Sequence, residues 1–513
     1  MKKITTILAF VLLVVSLSAR NNTEVSNSTT VNKTNIGSCN TPTAQVELDI
    51  NNVRVLLLSG GDMWWDGLAS GASAKYEYPK VDQTTGAVPK NVLFNGSLWF
   101  TGYDEGNSLK CASQGFRTNG YDFYTGPLQN FGLIESDICE AFDHHFTVYG
   151  DDIKLFKANF LLNGSVGVAD IDENILYWPG KGNPHLLTST DATKQSWYFN
   201  EGSLAPFFDN DGNGIYNPVK GDYPVIKISY DPTTNESSGE VADQMIFWVI
   251  NDEGNSHTNS KGADIGIQIN CLAFAFRTVN EINDMTFYTY EIIKKTAGDL
   301  SDTYMSIASD PDIGDAADDY IGCDTIRNIG YCFNGDGLDG DYGINPPLVG
   351  IDFFEGPIGD NGVERGLSTF MYYTNGSGTT GDPSEAQHYR NYQTALWKNA
   401  TPLTGSGDGF NTPGPVAKHA YPDNPALGLG WTECLAGNPV GDRRFILSSG
   451  PFTLTTAQSQ RISIGVMIAQ TNPSPADGCV NFEALMGSAN NRAQSLFDNN
   501  FGILEGPDAP TLK

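Results

Sequence analysis

The residues with most chemical potential in this chain are aspartates, and the first group sits in Asp209-Asn210-Asp211-Gly212-Asn213-Gly214-Ile215-Tyr216-Asn217. Carboxylate or amide oxygens fall at positions 1, 3 and 5, a glycine at position 6, and the backbone carbonyl of Ile215 at position 7. That is the first half of an EF-hand-like calcium loop, in which hard oxygens replace the water shell of the ion. Position 12 is Lys220 rather than Glu, which excludes a standard EF-hand and leaves a remote carboxylate, Asp222, to close the shell. Asp209, Asp211, Asn213, Ile215 and Asp222 form one candidate Ca2+ set. The competing explanation is an Asx-rich turn whose oxygens are satisfied by its own backbone.

A second region is denser. Residues 309–341 hold nine aspartates, no glutamate, no lysine and a single arginine, Arg327. The same segment carries Ile313, Ile321, Ile326, Ile329, Tyr331 and Phe333 and should be partly buried. So many carboxylates would then repel one another unless cations or backbone N–H groups compensate them. Asp310, Asp312, Asp318 and Asp319 make the preferred ligand set, with Asp324 counted among the candidates. Asn334, Asp336, Asp339 and Asp341 make a possible second set. A solvated, salt-screened charged loop is the alternative.

Motifs for other chemistries are missing. There is no HExxH, GxSxG or phosphate-binding GxxxxGK[ST] sequence. Two stretches match GxGxxG, 335–340 and 376–381, but neither leads into a helical pattern, so both read as loops. His144-His145 are adjacent, and on a strand only one could face a given site. Trp64-Trp65 with Tyr76 and Tyr78 could form an aromatic platform for sugars or could be core. A carboxylate pair for glycoside hydrolysis is compatible with so acidic a chain, yet nothing singles one out.

These loops need a scaffold, and the composition supplies one. The chain has 513 residues with 60 Asp+Glu against 30 Lys+Arg, a net charge of -30, which argues against nucleic acid or an anionic membrane surface as partner. Hydrophobic residues at 40% and 27 Phe with 22 Tyr are enough to build a large core, while 56 Gly and 26 Pro favour turns over long helices. Strands are predicted at 53–58, 92–94, 97–101, 245–250, 265–276, 285–293, 445–448, 452–455 and 461–469 from apolar runs and alternation. Asn95-Gly96 between two such runs predicts a tight hairpin, and Gly450-Pro451 a turn. Within 481–499, Phe482, Leu485, Met486, Ala489, Ala493, Leu496 and Phe497 share one helical face and predict an amphipathic helix docked on a sheet. The fold class expected is mainly β, with sandwich-like antiparallel sheets, long loops and one C-terminal amphipathic helix.

The N-terminal layout is Lys2-Lys3, an apolar run over 7–17 and small residues to Ala19. It reads as a secretory signal peptide at 1–19, too short for a membrane span, and no later stretch approaches the ~20 apolar residues a span needs. An Asn/Thr/Ser-rich leader is expected over 20–45, β-rich domains over 46–235 and 236–505, and a linker to a further module at 506–513. Eight cysteines in an exported chain permit up to four disulfides, with Cys323–Cys332 the best local pairing.

Several phrases together resemble a family of large, uncharacterised exported proteins of Bacteroidota that use the type IX secretion route. They are Ser97-Leu98-Trp99-Phe100, Gly102-Tyr103-Asp104, Phe116-Arg117, Asp122-Phe123, Gly126-Pro127, the Asp209 loop with Gly221-Asp222-Tyr223-Pro224, Asp310-Pro311-Asp312-Ile313-Gly314, Asp318-Asp319-Tyr320, Gly322-Cys323-Asp324 and 448–454. The resemblance implies a protein exported through the periplasm to the outer cell surface or medium, with a β-rich N-terminal region that precedes further modules and a C-terminal sorting domain. It implies no catalytic residues. Together these features favour a non-enzymatic, calcium-stabilised structural or adhesion protein in contact with cell-surface components or extracellular glycans. The alternative is a secreted polysaccharide hydrolase.

Overall fold

Apolar runs and strict alternation do produce strands here, and every strand pairing within the two large sheets is antiparallel. The computed structural model describes residues 38–202, 204–231, 236–470, 475 and 478–502. The signal peptide, most of the leader and the 506–513 linker lie outside the described residues. In the ten-stranded sheet the order is Thr369–Tyr373, Arg444–Leu454, Leu300–Asp310, Asn95–Tyr103, Asp62–Met63, Arg54–Leu58, Tyr76–Glu77 and Asn91–Leu93, with Gln45–Leu48 and Leu109–Ser113 paired off this path. The nine-stranded sheet runs Asp319–Asp324, Ile329–Asn334, Pro347–Glu355, Ser459–Gln470, Met285–Lys294, Ile267–Ala275, Gln244–Asn251 and Tyr124–Thr125, with Phe146–Tyr149 also paired to Gln244–Asn251.

The nine-stranded sheet is buried on both faces. Along Gln244–Asn251, Ile246, Trp248 and Ile250 enter a core shared with Val55, Leu98, Ile307 and Leu447 of the other sheet. Met245, Phe247 and Val249 enter a second core, shared with Ile153, Phe156 and Phe482 from helices and with Trp178 from the turn after Glu173–Leu176. A period of two with apolar residues on both faces yields the unbroken hydrophobic run seen in the sequence. The helix Phe482–Asp498 buries Phe482, Met486, Ala489 and Ala493, and Asn481 caps its first turn by accepting from Ala484 N at 3.2 Å. Full burial of a side chain such as Phe482 or Met486 contributes about 1.5–3 kcal/mol.

Several expectations meet a different structure. The 235/236 boundary falls in a two-stranded ribbon, Lys227–Asp231 with Glu236–Glu240, and each large sheet draws strands from both sides of it. The leader ends earlier than 45. Cys39 is disulfide-bonded to Cys139, Thr43 N donates to Asp143 Oδ2 at 2.8 Å, and a strand begins at Gln45. Asn95-Gly96 is no hairpin, because Asn91–Leu93 and Asn95–Tyr103 pair with different neighbours. Gly96 lies in the strand under the Trp64 ring, where a Cβ would come within 2.3 Å of the indole. The glycine serves close packing there, not turning. Gly450-Pro451 lies inside Arg444–Leu454, opposite an irregular stretch of Leu300–Asp310 between Thr303 and Met305. An extra residue absorbed as a bulge lets a strand continue through such a dipeptide.

Cys323 and Cys332 are free, buried thiols on adjacent strands, not a disulfide. The second bridge is Cys434–Cys479, and Cys111 and Cys271 are also buried and free. Ile321, not Cys323, lies opposite Cys332, so the two thiols are diagonal neighbours in the ladder. Helices also lie within 136–196, including Gly150–Asn163, Glu173–Leu176 and Pro184–Leu187, in what the sequence had suggested was a β-rich domain. Asp172 and Asn183 cap the last two of these by accepting from Asn174 N and His185 N, each at 2.9 Å. No helix among the described residues is long and apolar enough to cross a membrane.

Candidate cation sites

The Asp209 loop connects the strands of a small ribbon, Phe207–Phe208 with Tyr223–Pro224, so its two ends are held side by side. Asp209 Oδ1 accepts from Gly212 N at 2.8 Å and Asn213 N at 3.2 Å, and its Oδ2 accepts from Gly214 N at 2.6 Å. Asp211 Oδ1 accepts from Asn213 N at 3.3 Å, and Asn213 Oδ1 from Ile215 N at 2.7 Å. Asp222 is fully buried and accepts from Asn210 N at 2.8 Å and Asn217 N at 2.7 Å. Oxygens of Asp209, Asp211 and Asp222 lie within 4.8 Å of one another, so the remote Asp222 does reach the loop. Burial pushes the Asp222 carboxyl up to about 6, against the pull of the Asn217 and Asn210 amides. Ile215 has an exposed side chain, and the Asn213 oxygen is already engaged in the turn.

The second site assembles at the end of three neighbouring strands of the ten-stranded sheet. Leu300–Asp310 pairs with Arg444–Leu454, Ser309 opposite Phe445, which brings residue 442 beside residues 310 and 312. Thr369–Tyr373 lies on the far side of Arg444–Leu454, Tyr373 opposite Arg444, and leads into the loop that carries Asp382. Oxygens of Asp310, Asp312 and Asp442 lie within 4.8 Å of one another. Among the described residues, the one guanidinium that reaches them is that of Arg444. Its Nε is 3.1 Å from Asp310 Oδ2, its Nη1 2.6 Å from Asp382 Oδ1 and its Nη2 3.6 Å from Asp442 Oδ2. The ring of Phe116 lies 5.1 Å from the same guanidinium.

Four carboxylates around one guanidinium leave an electrostatic deficit. Asp310 is only 4% exposed, and the Oδ1 atoms of Asp310, Asp312 and Asp442 are buried and accept no hydrogen bond from any described residue. Burial pushes the Asp310 carboxyl up to about 7, with Arg444 opposing and Asp442 reinforcing the rise. Burial, then Asp310 and Asp442, push Asp312 up to about 8.

The other aspartates of this region take different places. Asp318 and Asp319 belong to neither set of three. Asp319 is fully buried, its Oδ2 accepting from Ile313 N at 3.1 Å and its Oδ1 unpartnered, and burial drives its carboxyl well up. Asp318 is buried next to it, and burial followed by Asp339 pushes it up to about 7. Asp324 caps a turn by accepting from Ile326 N at 2.9 Å and pairs with Arg327 at 2.6 Å. Asn334, Asp336 and Asp339 turn their oxygens to backbone amides at Gly337, Leu338 and Asp341, at 2.6, 3.1 and 2.7 Å. Asp341 is exposed.

Asp442 and Asp382 escaped the sequence reading because only strand pairing brings them to Asp310. The sole local signal was Asp442 standing two residues before Arg444 at the start of an apolar run. Trp64, Trp65, Tyr76 and Tyr78 are core residues, not a sugar platform: Trp64 Nε1 donates to Tyr288 OH at 3.0 Å and Trp65 Nε1 to Asp62 Oδ2 at 2.9 Å. His145 is buried, which lowers it to about 3, and His144 stacks on Trp197 with centroids 4.7 Å apart. No protein-family model matches the chain, and no curated protein does.

Proposed function

We propose that this is an exported, non-enzymatic β scaffold that serves surface structure or adhesion, with cell-surface components or extracellular glycans as partners. In this reading its fold is stabilised by Ca2+ held between Asp310, Asp312 and Asp442. Asp209, Asp211 and Asp222 would form a weaker second site. The observation that carries the proposal is the set of three unpartnered carboxylate oxygens at the strand ends, one of them on a residue 4% exposed. Buried ionised oxygens of this kind persist only with a counter-charge or with a proton, and a hard divalent cation supplies the charge with oxygen ligands alone. Two strands of one sheet and the Asp382 loop meet at this point, so an ion there would tie together segments far apart in sequence.

The deciding experiment is thermal unfolding of the purified chain at pH 8 in calcium, in magnesium and in chelator, paired with elemental analysis of protein isolated without chelator. Calcium should raise the melting temperature, and an Asp310→Asn/Asp312→Asn double substitution should remove the rise. Equal melting in calcium and chelator, with no bound metal, would sink the proposal.

A further inference from the structure

Strands Gln244–Asn251 and Ile267–Ala275 of the nine-stranded sheet are joined by a connection, 252–266, that reaches Leu109–Ser113 of the ten-stranded sheet, where Cys111 N donates to Ala263 O at 3.1 Å. His257 lies where the two meet, its side chain fully buried. Its Nδ1 is 2.7 Å from Cys111 O and its Nε2 is 2.8 Å from Asp252 O. Both partners are peptide carbonyls, which only accept. A neutral imidazole carries one N–H and one bare nitrogen and can satisfy one of these contacts, whereas the imidazolium satisfies both.

Three carboxylates face the ring. Asp122 Oδ2 is 3.9 Å from Nδ1, and Asp252 Oδ2 and Asp264 Oδ1 are 3.7 and 3.9 Å from Nε2. Asp122 accepts from Ser113 N at 3.0 Å, Asn259 N at 3.0 Å and Ser260 N at 3.2 Å. Asp252 accepts from Ile265 N at 2.6 Å, Gly266 N at 2.9 Å and Ile267 N at 2.7 Å. These two buried side chains receive only N–H donors, and the imidazolium supplies the counter-charge between them. Burial works against a charge on His257, but Asp122 and Asp252 outweigh it and hold the ring above its ordinary value. Burial raises Asp252, with His257 and the Ile267 and Ile265 amides opposing the rise. The other titratable groups packed nearby add no charge in neutral solution: burial pushes the Cys111 thiol and the Tyr124 hydroxyl up to about 12 and Tyr389 well up. Lys110, on the facing strand, lies 3.7 Å from Asp104, and Lys261 is exposed.

We propose that His257 is a charged clasp between the two sheets, protonated in neutral solution, and that alkaline solution removes its proton and releases the 252–266 connection from Leu109–Ser113. Deprotonation leaves a nitrogen lone pair against a carbonyl oxygen and the carboxylates without their counter-charge. An unfolded chain titrates this ring near 6.5, so the contribution of the clasp to stability is fully present below pH 6.5 and is lost as pH rises through the higher folded value. None of the residues of the clasp belongs to either cation site, so it holds whether or not those sites bind an ion.

Nitrogen-15 NMR of the untagged full chain, labelled on its six histidines, reads the charge directly, because imidazolium and neutral ring nitrogens resonate at different shifts. At pH 7.5 an ordinary histidine is about nine-tenths neutral, and burial lowers His144, His145, His388 and His419 further. One ring is expected to remain an imidazolium with both nitrogens protonated, and six neutral rings overturn the proposal. His257→Gln should remove that signal. If this variant does not fold, retention of the signal in His185→Gln assigns it to His257, and its loss there overturns the proposal. Hydrogen exchange between pH 6.5 and 9.5, corrected for the intrinsic rate, reads the release. Protection of the 252–266 amides should fall at least tenfold as the imidazolium signal disappears, while the helix Phe482–Asp498 keeps its own. Unchanged protection, or an equal fall in that helix, overturns the release.

Discussion

In the 209–222 loop every clustered carboxylate already accepts at least one backbone N–H group, whereas at the junction of Asp310, Asp312 and Asp442 three oxygens accept nothing. The first arrangement is local: the chain turns on its own aspartates, as Asx-rich segments do. The second is made by sheet pairing between residues more than a hundred positions apart, and it has one guanidinium for four carboxylates. Equal densities of aspartate therefore correspond to different physical states, one neutralised by peptide dipoles and one in need of an ion or protons.

The largest effect should come from Arg444→Gln. Removing the only counter-charge that the described residues give a buried group costs about 3–5 kcal/mol, because the carboxylates are left uncompensated. Denaturant unfolding in chelator at pH 8 measures the loss, and calcium should recover part of it. A loss below ~1 kcal/mol would mean the junction holds no ionised carboxylates, and the contrast with the loop would vanish.

Next is the calcium response itself. An ion present at about 100 times its dissociation constant adds ~2.7 kcal/mol to the folded state. Asp312 ionises near 3.8 in the unfolded chain but is pushed up to about 8 in the folded one. Its contribution in the metal-free protein is therefore fully present below pH 3.8 and is lost as pH rises through 8. Calcium should offset that loss, so its stabilisation should be large at pH 8 and small at pH 5, since ligation displaces the protons. Asp312→Asn should then have opposite effects in the two conditions, raising the melting temperature in chelator at pH 8 and abolishing the rise with calcium. A substitution that lowers melting equally in both would break the distinction.

A smaller effect is expected in the loop. Asp209→Ala removes the acceptor for Gly212, Asn213 and Gly214 N–H and should cost about 1–2 kcal/mol, as loss of a comparable cap does. Most of this loss should appear in chelator as well as in calcium. If the whole loss appears only with calcium, the loop is the principal ion site and the ranking of the two regions reverses.

Much of the fold was legible because its strands are strongly patterned. The 265–276 alternation placed Ile265, Ile267, Ile269, Cys271, Ala273 and Ala275 on one face, and all six lie in the core between the sheets. The terminal helix was equally clear from its spacing. Less legible were features set by tertiary contact. Gly96 looks like a turn residue until Trp64 is seen above it, and Cys39 gives no hint of Cys139, a hundred positions away. For the acidic clusters, the spacing pointed to Asp209, Asp211 and Asp222 and to two of the three residues of the junction, Asp310 and Asp312. Asp442 could not be found, because a one-dimensional pattern carries no information about which strand pairs with which.

Asp324 offers the finest test, because it belongs to the same dense stretch as Asp310 and Asp312 yet behaves like the loop. It caps its turn by accepting from Ile326 N and Arg327 N and forms an ion pair with Arg327 at the protein surface. Partly exposed pairs of this type contribute about 0.2–1 kcal/mol, and salt screens them. Asp324→Asn keeps an oxygen to cap the turn and removes only the charge, so the expected loss lies within that range, shrinks at high salt and is indifferent to calcium. The measurement is denaturant unfolding at low and high ionic strength, each with calcium and with chelator. Should Asp324→Asn reduce the calcium response as much as Asp312→Asn does, position in the fold would not decide which carboxylates hold an ion, and the total charge of the 309–341 stretch would.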